Sequence, residues 1–139
     1  METTFAIIKP DAVEAGHVGE IITVTERNGF NIAALDVHTI DHIDAEKLYA
    51  EHKGKFFYDD LVAFITSGPS VLLALEAANA IARWRSVMGA TDANKAEPDT
   101  IRYYWGSRDT KTMYRNCVHG SDSPEAAKRE LALFFSFFS

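Results

Sequence analysis

A chain of 139 residues, 47% hydrophobic and 24% charged, is long enough for a buried core, and residues 1–139 read as one domain. A formal net charge of −6 excludes a generally basic nucleic-acid binder and leaves only local basic clusters to hold phosphates. The lone cysteine, Cys117, excludes an intramolecular disulfide, and no apolar run is long enough for a signal peptide or membrane span, so the expectation is a cytoplasmic protein without a membrane partner.

Phe5-Ala6-Ile7-Ile8 predicts a buried strand that Pro10 ends. Val18, Ile21, Ile22 and Thr25 recur at helical spacing up to the stop at Asn28-Gly29. Ile32 to Ile40, with Leu35, Val37 and Thr39 alternating, predicts a second strand, and Asp44 is the expected cap of a short helix running to about Gly54. Phe57, Leu61, Phe64 and Ile65 stand on one helical face, ended by Gly68-Pro69. Val71 to Leu75 is a third strand. Asn79 is the expected cap of a helix that turns Ile81, Trp84 and Val87 inward and closes at Gly89.

From Ala90 to Arg115 no face is periodic, and structureless stretches of that length are usually functional or disordered. Tyr103, Tyr104, Trp105 and Tyr114 speak against disorder. A last strand is expected to end near Val118. A helix capped by Ser123 follows, with Pro124 in its first turn and Ala127, Leu131 and Phe134 buried. The apolar end, residues 134–139, reads as a shared interface or a packing surface. In order, these elements give βαββαβ: an α+β, ferredoxin-like sandwich whose four-stranded antiparallel sheet carries helices on one face.

The segment richest in chemistry is Asn116 through Ser123. His119 ends a short apolar strand and precedes a glycine and three small oxygen-bearing residues. A neutral imidazole is nucleophilic near pH 7, and Gly120 would let a bulky substrate approach the backbone. Taken alone, such a histidine is more often a surface residue in a turn whose Ser121, Asp122 and Ser123 cap the next helix. Glu130 shifts that balance. It lies within one position of the buried stripe of the last helix, and a carboxylate turned inward needs a partner. An imidazole N–H is a suitable one and would fix which ring nitrogen stays free to attack; reaching water or a lysine on its own helix is the alternative.

Lys9 ends a buried strand, where its ammonium could enter a crevice beside the sheet. Arg85, Thr91 and Arg102 could grip phosphate oxygens, although each alone is more often a solvated surface residue. No GxxxxGK[ST] loop and no GxGxxG turn occurs. His38 and His42 flank a β-branched segment rather than one helix, so no metal site is read there.

Several segments recur in order along almost the whole chain. They are Lys9-Pro10-Asp11-Ala12-Val13, Gly19-Glu20-Ile21-Ile22, Tyr49 with Phe56-Phe57, Ser67-Gly68-Pro69, Met88-Gly89-Ala90-Thr91, Thr100-Ile101-Arg102 and Asn116 through Ser123. Together they make the sequence resemble the nucleoside diphosphate kinase family. The resemblance implies ping-pong transfer of a γ-phosphoryl group from a nucleoside triphosphate to a diphosphate through a phosphohistidine on His119. It implies that Glu130 orients the nucleophile with support from Ser121, and that Tyr49 stands nearby. Arg85, Thr91 and Arg102 would grip phosphate. Lys9 and Asn116 would contact the ribose, with Lys9 also reaching phosphate, and Phe57 would stack on the base. The implied cofactor is Mg²⁺ held mainly through nucleotide phosphates, without a protein metal cage. The implied partners are nucleoside di- and triphosphates and further copies of the chain, as dimer, tetramer or hexamer.

One region departs from the family pattern. Where members usually carry Pro-Gly-Thr-Ile-Arg-Gly-Asp-Phe, this chain reads Pro98-Asp99-Thr100-Ile101-Arg102-Tyr103-Tyr104-Trp105, with a longer run on to Asn116. Asp99 replaces a glycine suited to a special backbone angle. Lys55-Phe56 also stands where Arg-Pro is common. The rewritten segment motivates one alternative, a relative that binds nucleotides without transferring phosphoryl groups; intact His119, Glu130 and Lys9 oppose it. A nucleic-acid binder of the same fold class is opposed by the acidic balance.

Overall fold

The computed structural model describes residues 1–136. In chain order it runs β1 (Glu2–Ile8), α1 (Pro10–Glu14), α2 (Val18–Arg27), β2 (Asn31–His38), α3 (His42–Leu48), α4 (Tyr58–Ile65), β3 (Ser70–Ala77), α5 (Ala80–Met88), α6 (Ile101–Trp105), β4 (Val118–Gly120) and α7 (Pro124–Phe134). The sheet is antiparallel, in the order β2-β3-β1-β4. Its register sets Ile7 opposite Leu72 on one side and opposite His119 on the other. This is the expected ferredoxin-like α+β arrangement.

Helices cover both faces of the sheet rather than one. Ala6 and Ile8 point into a cluster with Ile21 of α2 and Trp84 and Met88 of α5. Phe5 and Ile7 point the other way, against Leu48 of α3, Leu61 and Ile65 of α4, and Leu131 of α7. The reason lies in β1 and β3 themselves. β3 carries the apolar run Val71 to Leu75 and β1 ends in Phe5 to Ile8, and a stretch of strand without polar alternation must be covered above and below. β2 lies at the edge and leaves Leu35 48% and Val37 63% exposed. It ends two residues before the expected Ile40, which is buried beyond it.

Several local expectations are corrected by capping geometry. Asp41, not Asp44, caps α3: its Oδ1 accepts from the Asp44 N–H at 2.8 Å. That helix stops at Leu48, and a 3-10 turn at Ala50–His52 follows, so no helix reaches Gly54. Asn79 sits at the start of α5 with left-handed backbone (φ 53°) and offers no side-chain cap. Glu2 Oε1 instead accepts from the Ile81 N–H at 2.9 Å, tying β1 to α5. Pro10 not only ends β1 but opens α1, where its missing N–H costs nothing. Ser123 caps α7 as expected, accepting from Ala126 N–H at 3.1 Å.

Residues 90–115 are ordered by short capped turns. Asp92, Thr100 and Asp109 accept from the N–H groups of Asn94 (3.0 Å), Tyr103 (3.3 Å) and Lys111 (2.9 Å), which starts the 3-10 turns Ala93–Lys95 and Thr110–Thr112 and helix α6. Each piece is shorter than the window in which a periodic face can show. Arg108 joins two of them, donating to the carbonyls of Ala93 and Tyr103, both at 2.6 Å. At the chain's end Phe134 stacks on Phe5 with centroids 5.1 Å apart and Phe135 is buried; residues 137–139 of the apolar run lie outside the described residues. Among the described residues no helix is long and apolar enough to cross a membrane.

Candidate active site

His119 is held by the backbone on which it sits. Two residues earlier Cys117 takes a left-handed conformation (φ 74°), fixed on both sides: its carbonyl accepts from Lys9 N–H at 2.8 Å, and its N–H donates to Asp11 Oδ2 at 3.1 Å. The His119 carbonyl accepts from Trp84 Nε1 at 3.1 Å. A Cβ on Gly120 would meet Trp84 Cδ1 at 2.5 Å. The glycine is therefore demanded by the indole packed behind β4, which corrects the expectation that it clears the way for substrate.

The His119 ring is oriented by a buried carboxylate. Nε2 lies 2.8 Å from Glu130 Oε1, and the same oxygen accepts from Ser121 Oγ at 2.9 Å. Glu130 is 2% exposed and sits on α7 one position before Leu131, turned inward by the 3.6-residue period. A carboxylate can only accept, so Nε2 carries the proton and Nδ1 keeps its lone pair. Among the described residues Nδ1 makes no hydrogen bond. Glu130 Oε2 stands 3.6 Å from Arg129 Nη2, and Arg129 Nη1 donates to the Lys47 carbonyl at 2.8 Å. Tyr49 meets His119 edge to face at 6.4 Å; its hydroxyl is buried and has no hydrogen-bond partner among the described residues. Burial, and then the charge of Glu130, raise the Tyr49 pKa, so the phenol stays protonated.

A cavity of about 380 Å³ is lined by Arg85, Met88, Gly89, Thr91, Thr100 and Arg102 among others; no β4 residue lines it, and Arg102 links it to β4 through the Val118 carbonyl. Arg102 is 7% exposed and gives three of its five N–H groups to carbonyls: Nε to Asn116 (3.3 Å), Nη1 to Gly89 (3.0 Å) and Nη2 to Val118 (2.7 Å). The buried cation is thus tied directly to the strand that carries His119. Burial, and then the positive charge of Arg85, pull its pKa down to about 10, which leaves it charged near neutrality. Arg85 is half-exposed and pairs with Asp122 Oδ1 at 2.5 Å.

Lys9 is 5% exposed and donates to Asn116 Oδ1 at 2.9 Å and to the Tyr114 carbonyl at 3.4 Å. Burial, and then Arg102, lower its pKa to about 7. Asn116 in turn donates to the Thr91 carbonyl at 3.1 Å, so Lys9, Asn116 and Thr91 form one chain of contacts. Phe57 is half-buried and is linked to Tyr49 through His52, with ring centroids 5.3 and 6.2 Å apart. Among the described residues no three His, Cys, Asp or Glu side chains gather as metal ligands.

Four contributors were not singled out as site residues in the sequence. Asp11 lies inside the quoted Lys9-Pro10-Asp11 tripeptide and could have been read. Trp84 looks like core alone, and Asp122 like a capping residue. Arg129 faces Glu130 from the next position along α7, which no periodicity marks.

Comparison with known proteins identifies the family. The family model described as nucleoside diphosphate kinase matches residues 2–138. A nucleoside diphosphate kinase of Pelotomaculum thermopropionicum is 51% identical over 136 residues, 98% of this chain and 89% of that protein. One from Bdellovibrio bacteriovorus is 47% identical over 135 residues, 97% and 93% of the two chains. The solved structure of a halophilic nucleoside diphosphate kinase from Halobacterium salinarum in complex with CDP superposes with a TM-score of 0.90 at 43% identity, covering 96% of this chain and 87% of that one. With its fold, its histidine–glutamate pair and these matches taken together, the chain belongs to the nucleoside diphosphate kinase family.

Proposed function

We propose that the chain transfers the γ-phosphoryl group of a nucleoside triphosphate to a nucleoside diphosphate, with His119 Nδ1 as the relay. The observation that carries this reading is the 2.8 Å contact of His119 Nε2 with buried Glu130, which commits the proton to Nε2 and the lone pair to Nδ1. In the first half-reaction the Nδ1 lone pair attacks the γ-phosphorus, the bond from that phosphorus to the β,γ-bridging oxygen breaks, and the diphosphate leaves with the bonding pair. The ring becomes cationic, and the Glu130 carboxylate stabilises it. The second half-reaction reverses these events: a diphosphate's terminal oxygen attacks the phosphorus and Nδ1 regains its pair.

Around this centre Arg85, Arg102 and Thr91 neutralise and hold phosphate oxygens, and the buried Tyr49 hydroxyl, without a hydrogen-bond partner among the described residues, donates to the moving phosphoryl group. Lys9 and Asn116 take the ribose, with the Lys9 ammonium also in reach of phosphate, while Phe57 offers the base a ring face. Mg²⁺, when bound, supplies further neutralisation of phosphate charge. The cavity wall carries one carboxylate, Glu97, beside two guanidiniums, which suits an ion held through nucleotide oxygens and water. The family model's span, residues 2–138, supports one domain. The exposed Leu35 and Val37 on the sheet edge support a homo-oligomer, and a lone buried thiol suits the cytoplasm.

Nothing in the site favours the inactive alternative, since Arg102 in the rewritten segment stays on the cavity wall. The test is conversion of GDP to GTP with ATP as donor. Turnover by the parent that is lost in His119→Ala supports the reading; no turnover by folded parent protein removes it.

A further inference from the structure

Asp99 is one of three non-glycine residues with left-handed backbone among the described residues (φ 71°), a conformation that glycine takes freely and that still costs aspartate something, though less than most residues. It immediately precedes Thr100, the cap of α6, whose Oγ1 donates to the Glu97 carbonyl at 2.7 Å and accepts from Tyr103 N–H at 3.3 Å. The second residue of that short helix is Arg102, with its guanidinium fixed on three carbonyls. Any slack at Asp99 is therefore passed to Arg102 within one helical turn. Room to absorb it is small. Thr100 packs where a Cβ on Gly89 would lie 2.4 Å from its Oγ1, and the Gly89 carbonyl is itself one of the Arg102 acceptors.

One side chain ties down the strained residue. The Tyr104 hydroxyl donates to Asp99 Oδ1 across the first turn of α6. The Tyr104 ring is 53% exposed, so core packing does not account for it, while its hydroxyl is directed back at the one residue in α6's approach with positive φ. A glycine would accept this angle unaided, and at Asp99 a bonded pair holds it.

We propose that Asp99 and Tyr104 form a clasp that steadies the left-handed turn before α6 and holds the start of that helix so that Arg102 is presented to the phosphate cavity. Tyr104 is a positioning residue acting through Asp99. The inference rests on the reading of Arg102 as a phosphate ligand.

The test is calorimetric affinity for ADP in the parent, Tyr104→Phe, Asp99→Gly and the double variant, with phosphohistidine labelling by ATP measured on each. Tyr104→Phe should weaken ADP binding about three- to tenfold, the size of one lost hydrogen bond. The Asp99→Gly/Tyr104→Phe double variant should recover to within about twofold of the parent, because glycine needs no clasp. A hydroxyl that only stabilised the surface, or that touched nucleotide itself, would not be rescued by a glycine five residues away. The proposal is overturned by Tyr104→Phe binding like the parent, or by a double variant as weak as Tyr104→Phe. A parent that binds ADP without taking label would refute the kinase reading and leave the clasp to be judged by affinity alone. A parent that binds no ADP would overturn both.

Discussion

Glu130 Oε1 receives the His119 ring and the Ser121 hydroxyl together, at 2.8 and 2.9 Å, in a position where the carboxylate is 2% exposed. A buried charge of this kind is tolerated because both donors come to the same oxygen, and the arrangement makes the tautomer of His119 a property of the fold. Glu130→Gln keeps an acceptor of the same shape but removes the charge that offsets the ring's cation in the transition state. Turnover should fall about ten- to a hundredfold, the equivalent of one charge-assisted hydrogen bond. The melting temperature should not fall, since a buried charge has been neutralised. Single-turnover kinetics and a thermal melt check both.

Lys9 supplies a pH dependence whose sign is fixed by its lowered pKa. The unfolded chain keeps the Lys9 proton up to about pH 10.5, the folded one only to about 7. Between those values the unfolded state binds more protons, so stability rises with pH. Cys117, pushed up to about 12 by burial and then by Asp11, opposes this above about pH 9. From pH 7 to 9 the parent should therefore gain stability relative to Lys9→Met, as read by denaturant midpoints. Phosphate in the site favours the charged amine. ADP binding at pH 8 should accordingly take up close to one proton in the parent and clearly less in Lys9→Met, read by calorimetry in buffers of different ionisation enthalpy.

Arg102→Ala should damage the fold as well as the chemistry. The guanidinium donates to the carbonyls of Gly89 and Val118 and shares that of Asn116 with the Val118 N–H, so its loss removes three charge-assisted hydrogen bonds at a cost of at least about 2 kcal/mol. Activity as kcat/KM should fall about a hundredfold or more. Arg102→Lys retains the cation without the fork and should recover little of either. Urea melts and steady-state kinetics separate the two losses.

Gly120→Ala tests the packing behind the nucleophile. Its Cβ would press on the Trp84 indole at 2.5 Å and on Met88 Cε at 2.9 Å, which overpacks the core by about 1–3 kcal/mol. The displaced indole also loosens its bond to the His119 carbonyl. Lower stability together with lower turnover is expected, and crystallography of the variant would show the Trp84 shift.

Part of this site was legible in the sequence, for physical reasons that differ residue by residue. The inward lean of Glu130 follows from its place beside Leu131 on a helix whose buried stripe is regular, and the Ser123 cap and Pro124 mark that helix's start. Arg102 shows the opposite case. Its partners are three backbone carbonyls from distant segments, which side-chain pattern does not mark, so its structural role appears only in the fold. The substrate-clearing role expected for Gly120 failed because a missing side chain can serve the face behind a strand as well as the face before it. Helices on both faces were implied by the apolar stretches Phe5 to Ile8 and Val71 to Leu75, yet the βαββαβ order alone pointed to one.

The relay proposed for His119 turns on which of its ring nitrogens takes the phosphoryl group. Protein incubated with ATP and Mg²⁺, freed of nucleotide and kept at alkaline pH, can be read by phosphorus NMR against both phosphohistidine isomers. One acid-labile phosphate per chain on His119 Nδ1, discharged by added GDP and absent from His119→Ala, is the predicted result. Phosphate on Nε2, or on any residue other than His119, would contradict it.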